Sequence, residues 1–230
     1  MINIVDVDKM YTEFRVSKGV RIKHDKGGKE IVRKKRPRTI CSPNEELKEE
    51  QKRILREELS KIKLHDCAYG FVRNRTIYDN AEQHIGAECI LNVDLKDFFP
   101  TITEKQVLNA LIQRGFDKAK AEYITKVCTR KGVLPQGAPT SPALSNIVAK
   151  PLDKKIYTIC KERGMKYTRY ADDITISADN IQKLLVMKSE IESLVRSYGW
   201  KVSGLKVHIT TRKNPGRNQE VTGVALVNKQ

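Results

Sequence analysis

Two spacings of apolar residues, near 3.6 and near 2, alternate along this chain. Helical spacing links Leu47, Ile54, Leu55, Leu59 and Ile62, then Val107, Leu108, Leu111 and Ile112, then Ile181, Leu184, Leu185, Ile191, Leu194 and Tyr198. The flanks carry start and stop signals. Ser42-Pro43-Asn44-Glu45 reads as a capping box with proline at the first helical position, and Thr103 to Gln106 repeats the box before a helix that ends near Gly115. Asp117 is expected to cap a further helix through Cys128. Ser141-Pro142 is expected to open a long helix through about Lys161, bent at Pro151 because an interior proline costs about 3 kcal/mol.

Strict alternation marks the strands. Tyr11 to Val16 is one. Residues 88–95 form another, with Leu91, Val93 and Leu95 on one face and Ile90, Asn92 and Asp94 on the other, so Asp94 is expected to project away from the apolar core. Met165–Arg169 and Ile174–Ser177 read as a pair of strands around a tight turn, and Trp200–Ile209 and Glu220–Val227 as closing strands joined by a basic Arg212–Arg217 turn. Between Lys18 and Arg38 lies a dense basic tract broken by Asp25-Lys26-Gly27-Gly28, the pattern of a hairpin that grips phosphates. Tyr69 to Arg75, with its glycine and paired arginines, suggests a loop near a charged ligand, and Leu134 to Pro142 is rich in turn formers. The order of elements predicts an α+β fold, an antiparallel sheet backed by helices.

Composition narrows the partners. The 230 residues are 39% hydrophobic, enough for a sizeable core in one or two domains. A net charge of +16 points to a polyanion, most simply nucleic acid, with anionic membrane the weaker option. No apolar run is long enough to span a bilayer, and no signal-peptide pattern opens the chain. The cysteines at 41, 67, 89, 128 and 160 lack CxxC spacing, which fits a reducing cytoplasmic setting and argues against structural zinc.

The candidate chemistry centres on Tyr170-Ala171-Asp172-Asp173, two acids at the tip of a predicted hairpin. Alone, the tetrapeptide reads more readily as a solvated turn. If the strand ending at Asp94 neighbours this hairpin, three carboxylates meet, and like charges that close repel unless cations intervene. Two magnesium ions about 4 Å apart would satisfy them and form a phosphoryl-transfer site; three independent surface acids are the competing reading.

With these segments in order, the chain resembles a reverse transcriptase, most closely the bacterial retron and group II intron-like branch. The resemblance rests on Arg38-Thr39-Ile40 with Pro43, Tyr69–Arg75 with Asn80-Ala81, Asn92–Pro100, Leu134–Pro142 with Asn146, Tyr170–Asp173, and Val221-Thr222-Gly223 with Asn228. It implies a right-hand polymerase fingers–palm core, with fingers over 1–90, palm over 91–230 and a fingers-contributing insertion around 115–138. It implies Asp94, Asp172 and Asp173 as catalytic metal ligands, with Leu95 in the metal set, and two Mg²⁺ ions for which Mn²⁺ is a possible substitute. Phe99 would be the aromatic gate against a ribose 2′-hydroxyl. Gln136 and Gly137 would line the nucleotide pocket, the glycine letting backbone approach the substrate. Arg38 would contact the triphosphate, Asp97 would neighbour the nucleotide, and Lys206 would protonate pyrophosphate. Lys18, Lys35, Arg36, Arg73 and Arg75 would contact nucleic acid.

The implied partners are an RNA template, a DNA or RNA primer and dNTPs, without membrane. The implied setting is a retron, intron-like or phage-defence system. The pattern Ser203-Gly204-Leu205 departs from the family's Asn-Pro before the lysine, and no thumb is expected within the 230 residues, so a partner chain supplying a thumb or an effector function is a further expectation. Template-independent or protein-primed DNA synthesis would use the same site. A catalytically weak nucleic-acid-binding palm is the reading from a different class.

Overall fold

The computed structural model describes residues 4–17, 19–24, 30–34, 37–204, 207–212 and 219–226. A four-stranded sheet positions everything else. It is built from β5 (Cys89–Asp94), β6 (Lys166–Tyr170), β7 (Asp173–Ala178) and β8 (His208–Thr211), in the order β6-β7-β5-β8 and antiparallel throughout. Leu91 and Val93 of β5 and Ile174 and Ile176 of β7 enter the large core on one face. There they meet the helix Ser141–Glu162 through Leu144, Ile147, Leu152 and Ile156, and the helix Ile181–Ser197 through Leu184, Met187, Ile191 and Val195.

The opposite face is narrower and more polar. Its small apolar cluster joins Ala81, Ile90 and Val221. His84 lies fully buried against it, with Nδ1 2.7 Å from Ser177 Oγ and Nε2 2.8 Å from Thr168 Oγ1. Burial, and then the charge of Lys166, push the His84 pKa down to about 3.

Two smaller sheets stand apart from the main one. β1 (Tyr11–Val16) pairs with β4 (Arg38–Pro43), and β2 (Val20–His24) with β3 (Glu30–Lys34). The predicted basic hairpin thus has its arms; its turn lies outside the described residues. Helix α1 (Glu45–Glu57) follows β4, α2 (Ile77–Glu82) follows the loop after Arg75, and α3 (Phe98–Thr101), α4 (Glu104–Ile112) and α5 (Lys118–Cys128) follow β5. The two long helices named above are α6 and α7. Thr103 and Asp117 cap α4 and α5 as expected, and α6 continues through Pro151 as one helix.

Two expectations change. Pro43 is drawn into β4 by pairing with Tyr11, so α1 starts two residues later than the box at Ser42 predicts, with Asn44 accepting from Leu47 N at 3.0 Å. The closing strands shrink. Trp200 is buried in the core, β8 begins only at His208, and β9 (Glu220–Val221) with β10 (Val224–Ala225) is a minimal hairpin. Their apolar residues pack as single anchors rather than alternating along a ladder. The Arg212–Arg217 turn lies largely outside the described residues.

Candidate active site

Backbone pairing brings the acids together. In the β5–β7 ladder Asp94 stands directly across from Asp173, and opposed residues project to the same face of a sheet. Asp172 sits in the turn between β6 and β7, and Leu95 N donates to Asp172 O at 2.8 Å, tying that turn to the end of β5. Asp94 does leave the large core, yet it is only 7% exposed, because the cleft walls close over it. Among the described residues no three Asp, Glu, His or Cys side chains already converge as an ion cage. The register fixes the backbone positions of Asp94 and Asp173 on one face of the sheet. The donor set consists of hard carboxylate oxygens, which fits magnesium rather than a softer ion.

Asp94 and Asp172 line a cleft of about 530 Å³ together with Arg38, Asp97, Phe99 and Gln136. The aromatic pair divides its labour. Phe98 is buried, edge-on to Trp200 with ring centroids 5.5 Å apart, whereas Phe99 is half-buried on the cleft wall. Asp97 precedes them at φ +49, the bend that turns α3 away from the sheet end.

The turn carrying the acids is locked from behind. Ala171 takes the left-handed conformation at φ +57. Its carbonyl accepts from Arg169 Nη1 at 2.9 Å, while Nε and Nη2 of the same guanidinium grip both oxygens of Asp153 at 2.8 and 2.7 Å. Arg169 and Asp153 are 0% and 1% exposed, and Tyr167 Oη also donates to Asp153. Burial pulls the Arg169 pKa down, but the Asp153 charge outweighs it and holds the guanidinium ionised. Gly70 closes the other side. A Cβ there would lie 2.4 Å from Ala171 N, and Asn146 Nδ2 holds the Gly70 carbonyl at 2.8 Å.

Several predicted contacts move. Gly137 does not line the cleft. Its missing Cβ makes room for β4, since an added one would lie 2.9 Å from Cys41 O and from Ile40 Cγ2, and Cys41 N donates to Gln136 O across the same junction. Leu95 has its side chain in the core at 1% exposure, so only its main chain reaches the cleft. Arg75 braces its own loop, donating to the carbonyls of Asp66 and Ala68 and lying 4.6 Å from the Tyr69 ring centroid. Arg73 is exposed outside the cleft lining. Lys18, Lys35, Arg36 and Lys206 lie outside the described residues.

Other cleft residues went unread in the sequence. Phe71, at φ +61 and 46% exposed, faces Phe99 with ring centroids 6.0 Å apart. Arg169 did carry a signal, because alternation places it with Met165 and Tyr167 on the inner face of β6, where a charge requires a buried partner.

Residues 23–225 match the family described as reverse transcriptase (RNA-dependent DNA polymerase). The chain belongs to the reverse transcriptase family. It is 38% identical over 192 residues to the retron Ec86 reverse transcriptase of Escherichia coli, covering 84% of this chain and 59% of that protein. It is 33% identical over 217 residues to the retron Mx162 reverse transcriptase of Myxococcus xanthus, covering 82% and 44%. This reverse transcriptase chain therefore spans about half the length of these relatives. The fold extends to telomerase from Candida albicans, with a TM-score of 0.63 at 12% identity over 93% of this chain and 45% of the other. Reverse transcriptases generally use divalent metal ions. Among the described residues no helix is long and apolar enough to cross a membrane.

Proposed function

We propose that this chain is the fingers–palm core of a retron reverse transcriptase, extending a DNA or RNA primer with dNTPs on an RNA template. The observation that supports the reading is the Asp94–Asp173 pairing at the end of the sheet, beside a cleft that Asp94, Asp172 and Phe99 line. Asp94, Asp172 and Asp173 would hold two magnesium ions, with manganese as a possible substitute; when bound, these ions lower the pKa of the primer 3′-hydroxyl and neutralise the triphosphate. Arg38 adds a cation at the cleft mouth for the phosphates. Phe99 lies flat against the sugar and gives a 2′-oxygen neither room nor a hydrogen bond. Fingers over 1–90 and palm over 91–230 are part of the same reading. The segment around 115–138 joins the fingers by packing α5 on α1, where Gln51 Nε2 donates to Val127 O at 2.8 Å.

Primer extension on an RNA template with Mg²⁺ tests this, with no-template and no-primer lanes. Template-directed product is expected from the parent and none from Asp172→Asn/Asp173→Asn, with RNA binding retained. Equal activity in the double variant would remove these acids from the chemistry, and homopolymer made without template would replace the reading by template-independent synthesis.

A further inference from the structure

Helix α6 carries a second feature, remote from the cleft. Lys150, Lys154, Tyr157 and Lys161 recur at i, i+4, i+7 and i+11, which places them in one stripe beside the buried Leu152, Asp153, Ile156 and Cys160. Lys61 and Lys63, exposed in the preceding loop, and Lys166 at the start of β6 extend the positive surface around it. Lys150 Nζ donates to Lys63 O at 2.7 Å, which joins the loop to the stripe. Burial lowers the Lys150 pKa, followed by the like charges of Arg114 and Lys63, so this is a crowded cationic surface.

The contrast with α1 is informative. There Lys48, Lys52, Arg53 and Arg56 all pair with glutamates one turn away or adjacent. Among the described residues, none of Lys61, Lys63, Lys150, Lys154, Lys161 or Lys166 forms an ion pair; the charge of this surface is left for something outside the chain.

Two features sharpen the ligand. The Tyr157 ring, 37% exposed, interrupts the lysines, and His65 packs against it with centroids 4.9 Å apart, holding it in place. Beside it a cavity of about 390 Å³ is lined by Asp66, Tyr69, Gln83, Tyr157, Lys161 and Lys166. Cations along a track with a braced aromatic between them suit a single strand, whose phosphates meet lysines while a base stacks. An exposed carboxylate in a phosphate track is unfavourable unless the ligand also donates hydrogen bonds. Asp66 and Gln83 offer acceptors that a ribose 2′-hydroxyl would satisfy and a deoxyribose would not.

The location separates this surface from catalysis. Ser141 is anchored to Pro135 O at the cleft end of α6, and Lys161 lies about 30 Å further along the helix. The two cavities share no lining residue.

We infer that the Lys150–Lys154–Tyr157–Lys161 stripe and its adjoining cavity bind a single-stranded RNA segment, separate from the template–primer in the cleft. Fluorescence anisotropy with a labelled 12-nucleotide oligouridine RNA tests it. Tyr157→Ala is expected to weaken binding about five- to one-hundredfold. Lys154→Gln/Lys161→Gln should flatten the log–log salt slope by about 1.4, two contacts' worth, while Lys188→Gln/Arg196→Gln on α7, with the same charge change, should not. Tyr157→Phe keeps the ring and should bind as the parent does, which guards against misfolding as the cause. Primer extension by the α6 variants on a preformed template–primer is expected to be unchanged, so the outcome is independent of the active-site reading. Loss of the same size in the α7 control, parental affinity in Tyr157→Ala, or equally tight binding of oligothymidine DNA would each overturn the inference.

Discussion

Arg169 carries a full charge where no water reaches, and each of its three guanidinium nitrogens donates to Asp153 or to the Ala171 carbonyl. Removing one partner of a buried pair strands the other, so Arg169→Gln should cost about 3–5 kcal/mol in urea unfolding. Arg169→Met/Asp153→Leu removes both charges and should recover much of that loss. Primer extension should nevertheless stay low in the double variant, because the Ala171 carbonyl still lacks its donor; recovery of activity along with stability would limit Arg169 to a structural role. Gly70→Ala pushes directly on Ala171 N, and a displacement of 1 Å at the acids is expected to cost about 100-fold in activity. Parental activity in that variant would show that the turn yields without consequence. Phe99→Ala should raise ribonucleotide incorporation relative to deoxynucleotide, read from competing extension reactions; an unchanged ratio would remove Phe99 as the gate.

At the scale of elements, the polar face of the sheet sets an acid limit on stability. His84 bridges Ser177 of β7 and Thr168 of β6 in its neutral form. Its folded pKa of about 3 lies below the ordinary 6.5, so the unfolded chain takes up the proton first as the pH falls. Stability is complete above about 6.5 and declines below it at up to about 1.4 kcal/mol per pH unit. Urea midpoints between pH 7 and pH 5 should show this slope in the parent and a shallower one in His84→Gln. The long elements were legible because periodicity and caps agree: β5, β7, α4, α5, α6 and α7 begin and end close to where their sequences say. The register that sets Asp94 across from Asp173 was legible too, since a strand ending in an acid and a hairpin tipped with acids need only be neighbours. Less could be read where tertiary contact overrides local pattern. Pro43 follows its strand partner Tyr11 rather than its capping box, Trp200 anchors the core where a strand was expected, and Gly137 makes room for Cys41 of a distant segment.

For the whole molecule, a net charge of +16 predicts salt-sensitive binding of RNA. Each phosphate contact with a single strand contributes about 0.7 to the log–log slope, so a titration between 50 and 200 mM salt that is flatter than about one contact would contradict a charge-driven interface. The molecule is also joined across its own length. Cys41 bonds to Gln136, Asn80 to Thr222 and Asn146 to Gly70, so segments far apart in sequence hold one another in place. Gly70 and Ala171 make the tightest of these joints, one lacking the carbon that the other's backbone excludes. Position 70 cannot take a side chain while the turn keeps its path, whatever residue stands at 171, because the contact is with main chain. A chimaera that takes the loop from one homologue and the turn from another keeps this joint only where the incoming loop carries glycine at the place of Gly70.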